Sequence, residues 1–181
     1  MTEGSRLMAL LGDAPSLEVS MPVTATPAVL WELVSDPTLP ARFSKELQEA
    51  GWDPDGPPPG LGARILGRNA IGAVGEWTTT SYVTAWEPER LLTWAVGNLE
   101  EPAAVWSFVI TPTDAESTTL TQRVQFGPGR SNIRKMIEDR PEDEEGIIEY
   151  RLAMFRENIE ANLAAYRDLA EGTVTLDQLD S

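Results

Sequence analysis

"EDEEGIIEYRLAMFRENIEANLAAYRDLAE", Glu142–Glu171, is the longest periodic segment of the chain. Its apolar residues fall at Ile148, Leu152, Phe155, Ile159, Leu163, Tyr166 and Ala170. Steps of three and four put them on one face of a helix. A run of this length spans on the order of 40 Å. Acidic residues crowd its start, where the helix dipole favours them. Such a stripe must be buried, and the partner has to come from earlier in the chain.

Upstream, Ser16–Val23 alternates apolar and polar residues and reads as a first strand. Thr26 before Pro27 is an N-terminal helix signal. "PAVLWELVSDP" then carries Val29, Leu30, Leu33 and Val34 at helical spacing, a helix of about two turns. "ARFSKELQEAGW" reads as a second short helix with Phe43 and Leu47 on one face. "DPDGPPPGLG", Asp53–Gly62, is a loop on composition. Five period-two segments follow: Ala63–Ala73, Trp77–Trp86, Leu91–Gly97, Ala103–Thr111 and Thr118–Phe126. Turn-forming residues connect them, so consecutive strands pair as an antiparallel meander. A loop with a short helical turn near Ile133–Ile137 leads into the long helix. The reading is an α+β fold: an antiparallel sheet, two short helices after the first strand, and a long C-terminal helix packed on one sheet face. Residues 1–15 are an N-terminal extension, 16–171 the domain, and 172–181 a flexible tail.

Strand parity assigns the inner face. Trp77, Thr79, Ser81, Val83 and Ala85 point inward, and Thr78, Thr80, Tyr82 and Thr84 outward. Trp86 falls on the outer set, beside the "EPER" turn, and is expected to cap the sheet edge. The other inward residues are Ile65, Gly67, Asn69 and Ile71; Leu92, Trp94 and Val96; Trp106, Phe108 and Ile110; Leu120, Gln122, Val124 and Phe126. This face mixes large aromatics with Asn69, Thr79, Ser81 and Gln122. Buried polar groups need hydrogen-bond partners. Either these residues reach solvent at strand ends, or they line a cavity.

Composition narrows the chemistry. The chain has 181 residues, a net charge of −15, no histidine and no cysteine. Thiolate nucleophiles, disulfides, Cys/His zinc sites and a histidine base are therefore excluded. The acidity opposes nucleic acid and anionic membranes. No apolar run approaches the ~20 residues of a membrane span, and "LMALLG" is too short for a signal-peptide core. The expectation is a cytoplasmic protein without metal or cofactor, monomeric or homodimeric.

The motifs in this order resemble the START-like superfamily, also called SRPBCC or the polyketide cyclase/dehydrase and lipid transport group, with its helix-grip fold. The resemblance covers about Glu18 to Glu171. It rests on "PVTATPAVLWELVSDP", "PPPGLGARILGRNAIGAVGEWTTTSYVTAWEPERLLTWAV", "AVWSFVITP" and "RLAMFRENIEANLAAYRDLAE". It implies a seven-stranded sheet wrapped around the long helix and enclosing a deep apolar cavity. The periodicity gives six strands, so the seventh is expected from a split of Ala63–Val74. Members bind lipids, sterols or polyketide-like molecules; some cyclise aromatic polyketides, and others sequester toxic natural products such as enediynes.

The expected ligand contacts are Trp31, Phe43, Glu46, Asn69, Trp77, Ser81, Trp94, Trp106, Phe108, Gln122, Phe155, Asn158 and Ile159. The aromatics supply stacking area, and Asn69, Ser81 and Gln122 supply orienting hydrogen bonds. Trp31 on the short helix also suits core packing. Glu46 is either a solvated helix residue or an acid at the cavity mouth. Asn158 and Asn162, one turn apart, form with Arg151 either a polar edge over the cavity or a solvated flank. Tyr166, on the apolar stripe, is the phenol placed to reach the cavity. The leading function is non-enzymatic binding of an apolar, aromatic or polyketide-like molecule. The alternatives are an aromatase/cyclase, whose catalytic residues the sequence does not name, and an interaction module using the acidic loop Glu138–Glu145.

Overall fold

The computed structural model describes residues 10–72 and 74–178. Parts of the expected N-terminal extension (1–9) and tail (179–181) lie outside the described residues. The first strand, β1, spans Ser16–Val23, and α1 spans Pro27–Val34. Then come β2 (Leu47–Trp52), β3 (Arg64–Ile71), β4 (Gly75–Glu87), β5 (Leu91–Val96), β6 (Ala104–Pro112) and β7 (Thr118–Phe126). Helix α2 covers Asn132–Asp139 and α3 covers Glu144–Ala170. All seven strands form one antiparallel sheet in the order β1-β7-β6-β5-β4-β3-β2. This is the helix-grip α+β arrangement. Among the described residues, no helix is long and apolar enough to cross a membrane.

The seventh strand is not a fragment of Ala63–Val74, which holds the single strand β3. It is β2, in the segment whose Phe43/Leu47 spacing reads as helix. There the chain makes only a 3-10 turn at Leu39–Arg42. The Ser44 hydroxyl then accepts from the backbone N–H groups of Glu46 and Leu47, at 3.2 and 2.9 Å. That ends the turn and leaves the following backbone free to pair. Ala70 N–H donates to Glu46 C=O at 2.9 Å, and Ala50 and Trp52 lie opposite Gly67 and Ile65. Sheet pairing overrides the helical propensity of Lys45–Ala50, which Gly51 then interrupts.

A second departure is a β-bulge in β4. Val83 faces Trp94, but Ala85 faces Thr93, so Thr84 is the extra residue. Parity holds up to Val83 and reverses beyond it. Trp86 therefore lies opposite the buried Leu92 on the inner face, not the outer one. Its ring meets Trp31 of α1 edge-on at 5.0 Å and Trp52 of β2 at 5.9 Å. This cluster ties α1 to the sheet.

Helix α3 packs on β1 and β7, with α1 and α2 beside it. Ile148, Ile159, Leu163 and Tyr166 are at most 1% exposed. The Tyr166 ring stands edge-on to Phe43 and Phe108, each at 5.4 Å. Its hydroxyl has no hydrogen-bond partner among the described residues. Burial, with Asp36 adding to it, raises the phenol pKa far above its ordinary 10.0. In the unfolded chain this tyrosine ionises near pH 10.0, whereas in the folded protein it keeps its proton. Its contribution to stability is thus complete below that pH and is lost as pH rises through and above it. Tyr166→Phe removes an unsatisfied hydroxyl, so stability at neutral pH should be unchanged or raised by up to about 1 kcal/mol. The variant should also lose less stability than the wild type between pH 9 and 11 (roughly one unit either side of the ordinary phenol value), as read by urea denaturation.

Candidate ligand-binding site

Between the sheet and α3 lies a cavity of about 920 Å³. Its floor is built by register. Asn69 pairs with Trp77 and Gly67 with Thr79 across β3 and β4. Ser81 pairs with Val96, Trp94 with Trp106, and Phe108 with Gln122 across the next strands. All these residues line the cavity. Gly67 leaves room there: a Cβ at this position would sit 2.9 Å from Thr79 Oγ1. Arg151, Phe155, Asn158 and Asn162 of α3 form the roof, and Ile133 and Met136 of α2 close one side with the Val34–Pro37 segment.

The wall is aromatic. Trp94 stacks on Trp106 at 6.4 Å with planes 8° apart, and tilts against Phe108 at 5.6 Å. Trp106 meets Phe155 edge-on at 4.9 Å. Each such ring pair stabilises by about 0.5–1.5 kcal/mol beyond its buried area.

One ion pair stands in this wall. Arg151 donates to both carboxylate oxygens of Glu46, at 2.8 and 2.5 Å. The two side chains are only 11% and 13% exposed. The guanidinium carbon also lies 4.1 Å from the centre of the Phe155 ring. Glu46 immediately precedes β2, and its C=O accepts from Ala70 N–H of β3, so the carboxylate is presented to α3 from the sheet side. A bidentate pair with stacked guanidinium is the strong form of this interaction.

Of the residues expected from sequence, Glu46, Asn69, Trp77, Ser81, Trp94, Trp106, Phe108, Gln122, Phe155 and Asn158 line the cavity. Trp31, Phe43 and Ile159 do not. Trp31 belongs to the Trp86 cluster, Phe43 lies against Tyr166, and Ile159 is 0% exposed in the core. Tyr166 is not a lining residue either: the neighbouring rings enclose it. Sequence reasoning missed Leu47, Ala50 and Trp52 of β2, and the α2 side of the cavity. Ala50 and Trp52, two residues apart, are the one period-two trace of β2 in the sequence, too short to outweigh the helical composition before it.

The model of the family described as polyketide cyclase/dehydrase and lipid transport matches residues 14–171. The chain belongs to this family. A polyketide-cyclase-like protein from Corynebacterium glutamicum superposes with a TM-score of 0.61 at 28% identity, over 87% of this chain and 92% of that one. The Zhui aromatase/cyclase from a Streptomyces species gives 0.63 at 17% identity, over 90% and 97%. The di-domain ARO/CYC StfQ of the steffimycin pathway gives 0.65 at 13%, over 87% of this chain and 51% of that one. The latter two likenesses concern the fold alone. No curated protein sequence matches the chain.

The Glu46–Arg151 pair generates a prediction. Glu46→Gln leaves a nearly buried guanidinium without its counter-charge and should cost about 3 kcal/mol. Replacing both partners, Glu46→Gln with Arg151→Met, should cost clearly less than the sum of the two single changes. Chemical denaturation of the four proteins in a double-mutant cycle measures this directly.

Proposed function

We infer that this family member binds an apolar, polycyclic aromatic or polyketide-like small molecule between the sheet and α3, without transforming it. The observation that carries this reading is the aromatic wall: Trp94, Trp106, Phe108 and Phe155 converge on an open cavity of about 920 Å³. Small-molecule sites typically enclose about 300–1,000 Å³, mostly apolar with a few placed polar groups. Asn69, Ser81 and Gln122 are the placed polar groups on the sheet side. The physiological version is sequestration or transport of a natural product, self-resistance being one form of it.

A second reading, an aromatase/cyclase, is favoured by the carboxylate of Glu46 in the same cavity. Ring closure and dehydration need a positioned proton donor and acceptor. Both oxygens of Glu46 are engaged by Arg151, so proton transfer would require that pair to open. The binding reading needs no such step and is preferred.

Titration with a panel of polycyclic aromatic polyketides should quench tryptophan emission saturably, with Trp106→Ala weakening affinity about tenfold or more. No saturable response from any member of the panel, or affinities indifferent to Trp106→Ala, would refute the reading. Product formation that Glu46→Gln abolishes would replace it with the cyclase.

A further inference from the structure

One corner of the cavity is left with unused hydrogen-bonding capacity. Asn162 of α3 and Gln122 of β7 are 9% and 3% exposed, and both line the cavity. A single hydrogen bond joins them: Asn162 Nδ2 donates to Gln122 Oε1 at 3.4 Å. Asn162 Oδ1 is buried and has no partner among the described residues. Gln122 Nε2 makes no hydrogen bond among them either. A side-chain amide carries one accepting oxygen and one donating nitrogen. After their mutual bond, the two residues offer one free oxygen and one free nitrogen. Turning both amides over exchanges which residue offers which, but still leaves one of each.

A group that both donates and accepts at one atom matches this corner, and a hydroxyl is that group. A carboxylate does not match, because it only accepts and would face the free amide oxygen. The guanidinium on the same helix already has a carboxylate partner: two of its five N–H donors go to Glu46, which balances its charge. An ether does not match either, because it cannot donate to the free oxygen.

We propose that Asn162 and Gln122 form a hydroxyl-recognition subsite, and that the ligand is a neutral polycyclic phenol. Its hydroxyl donates to the free amide oxygen and accepts from the free amide nitrogen, while its rings lie against Trp106 and Phe155. This rests on the ligand-binding reading above and adds the chemical class. Leaving a buried amide oxygen unpaired is costlier than losing an exposed hydrogen bond. The discrimination should therefore be larger than an accessory contact would give.

Three probes of one skeleton test it: pyrene, 1-hydroxypyrene and 1-methoxypyrene, each followed by energy transfer from tryptophan to pyrene at a pH where the phenol is protonated. 1-Hydroxypyrene should bind about tenfold more tightly than 1-methoxypyrene. In Asn162→Leu, pyrene should bind at least as well as to the wild type, and the advantage of the hydroxyl should vanish. Gln122→Leu should do the same and serves if Asn162→Leu does not fold. Equal binding of the hydroxy and methoxy probes to the wild type overturns the subsite while leaving the cavity reading intact. An advantage that survives in a folded variant overturns it too. Absence of energy transfer with all three probes overturns the cavity reading and the subsite together.

Discussion

The structure depends on how one straight helix is buried by a curved sheet. Helix α3 must hide a stripe that includes Ile148, Ile159, Leu163 and Tyr166, and it does so mainly against β1 and β7 at one side of the sheet. The remaining strands curve past it. What fills the gap is decided by side-chain size and polarity at the inner positions. Glycine, threonine and serine at 67, 79 and 81 are too small to reach the helix. The rings of Trp94 and Trp106 stack along the floor and leave space above it. The inner face thus splits into a packed core under one part of α3 and an open cavity under the rest.

Across that gap the Glu46–Arg151 pair joins the β2 edge of the sheet to the helix. It spans 105 residues of sequence and holds two charges in the wall without leaving either unpaired. Removing water from a charge is costly unless a partner compensates it. The mutual engagement lets the wall carry these two ionic side chains with their charges balanced.

Much of this was legible in the sequence. The period-two strands from Arg64 onward and the seven-residue stripe of α3 are local signals, and local signals survive folding because the faces they define must be buried. Parity placed Asn69, Ser81, Trp94, Phe108 and Gln122 on the inner face. Strand β2 was not legible, because "SKELQEA" has helical composition and its pairing with β3 is a non-local interaction. The reversal at Trp86 was not legible either: a bulge is one inserted residue, and nothing in a threonine-rich strand marks Thr84 as the one. Glu46 and Arg151 could each be singled out, but their pairing depends on β2 being a strand. Trp31, Phe43 and Ile159 were expected at the site because aromatic and apolar residues look alike in a core and in a cavity wall.

The central claim is that an aromatic guest occupies the space between the sheet and α3, and the six tryptophans offer a direct test. Trp52, Trp77, Trp94 and Trp106 line the cavity, while Trp31 and Trp86 pack outside it. Each indole N–H gives its own cross-peak in a nitrogen–proton correlation spectrum. On titration with a polycyclic aromatic ligand, the Trp94 and Trp106 peaks should move most, and those of Trp31 and Trp86 should stay in place. Shifts confined to Trp31 and Trp86, or none with a ligand shown independently to bind, would contradict the account.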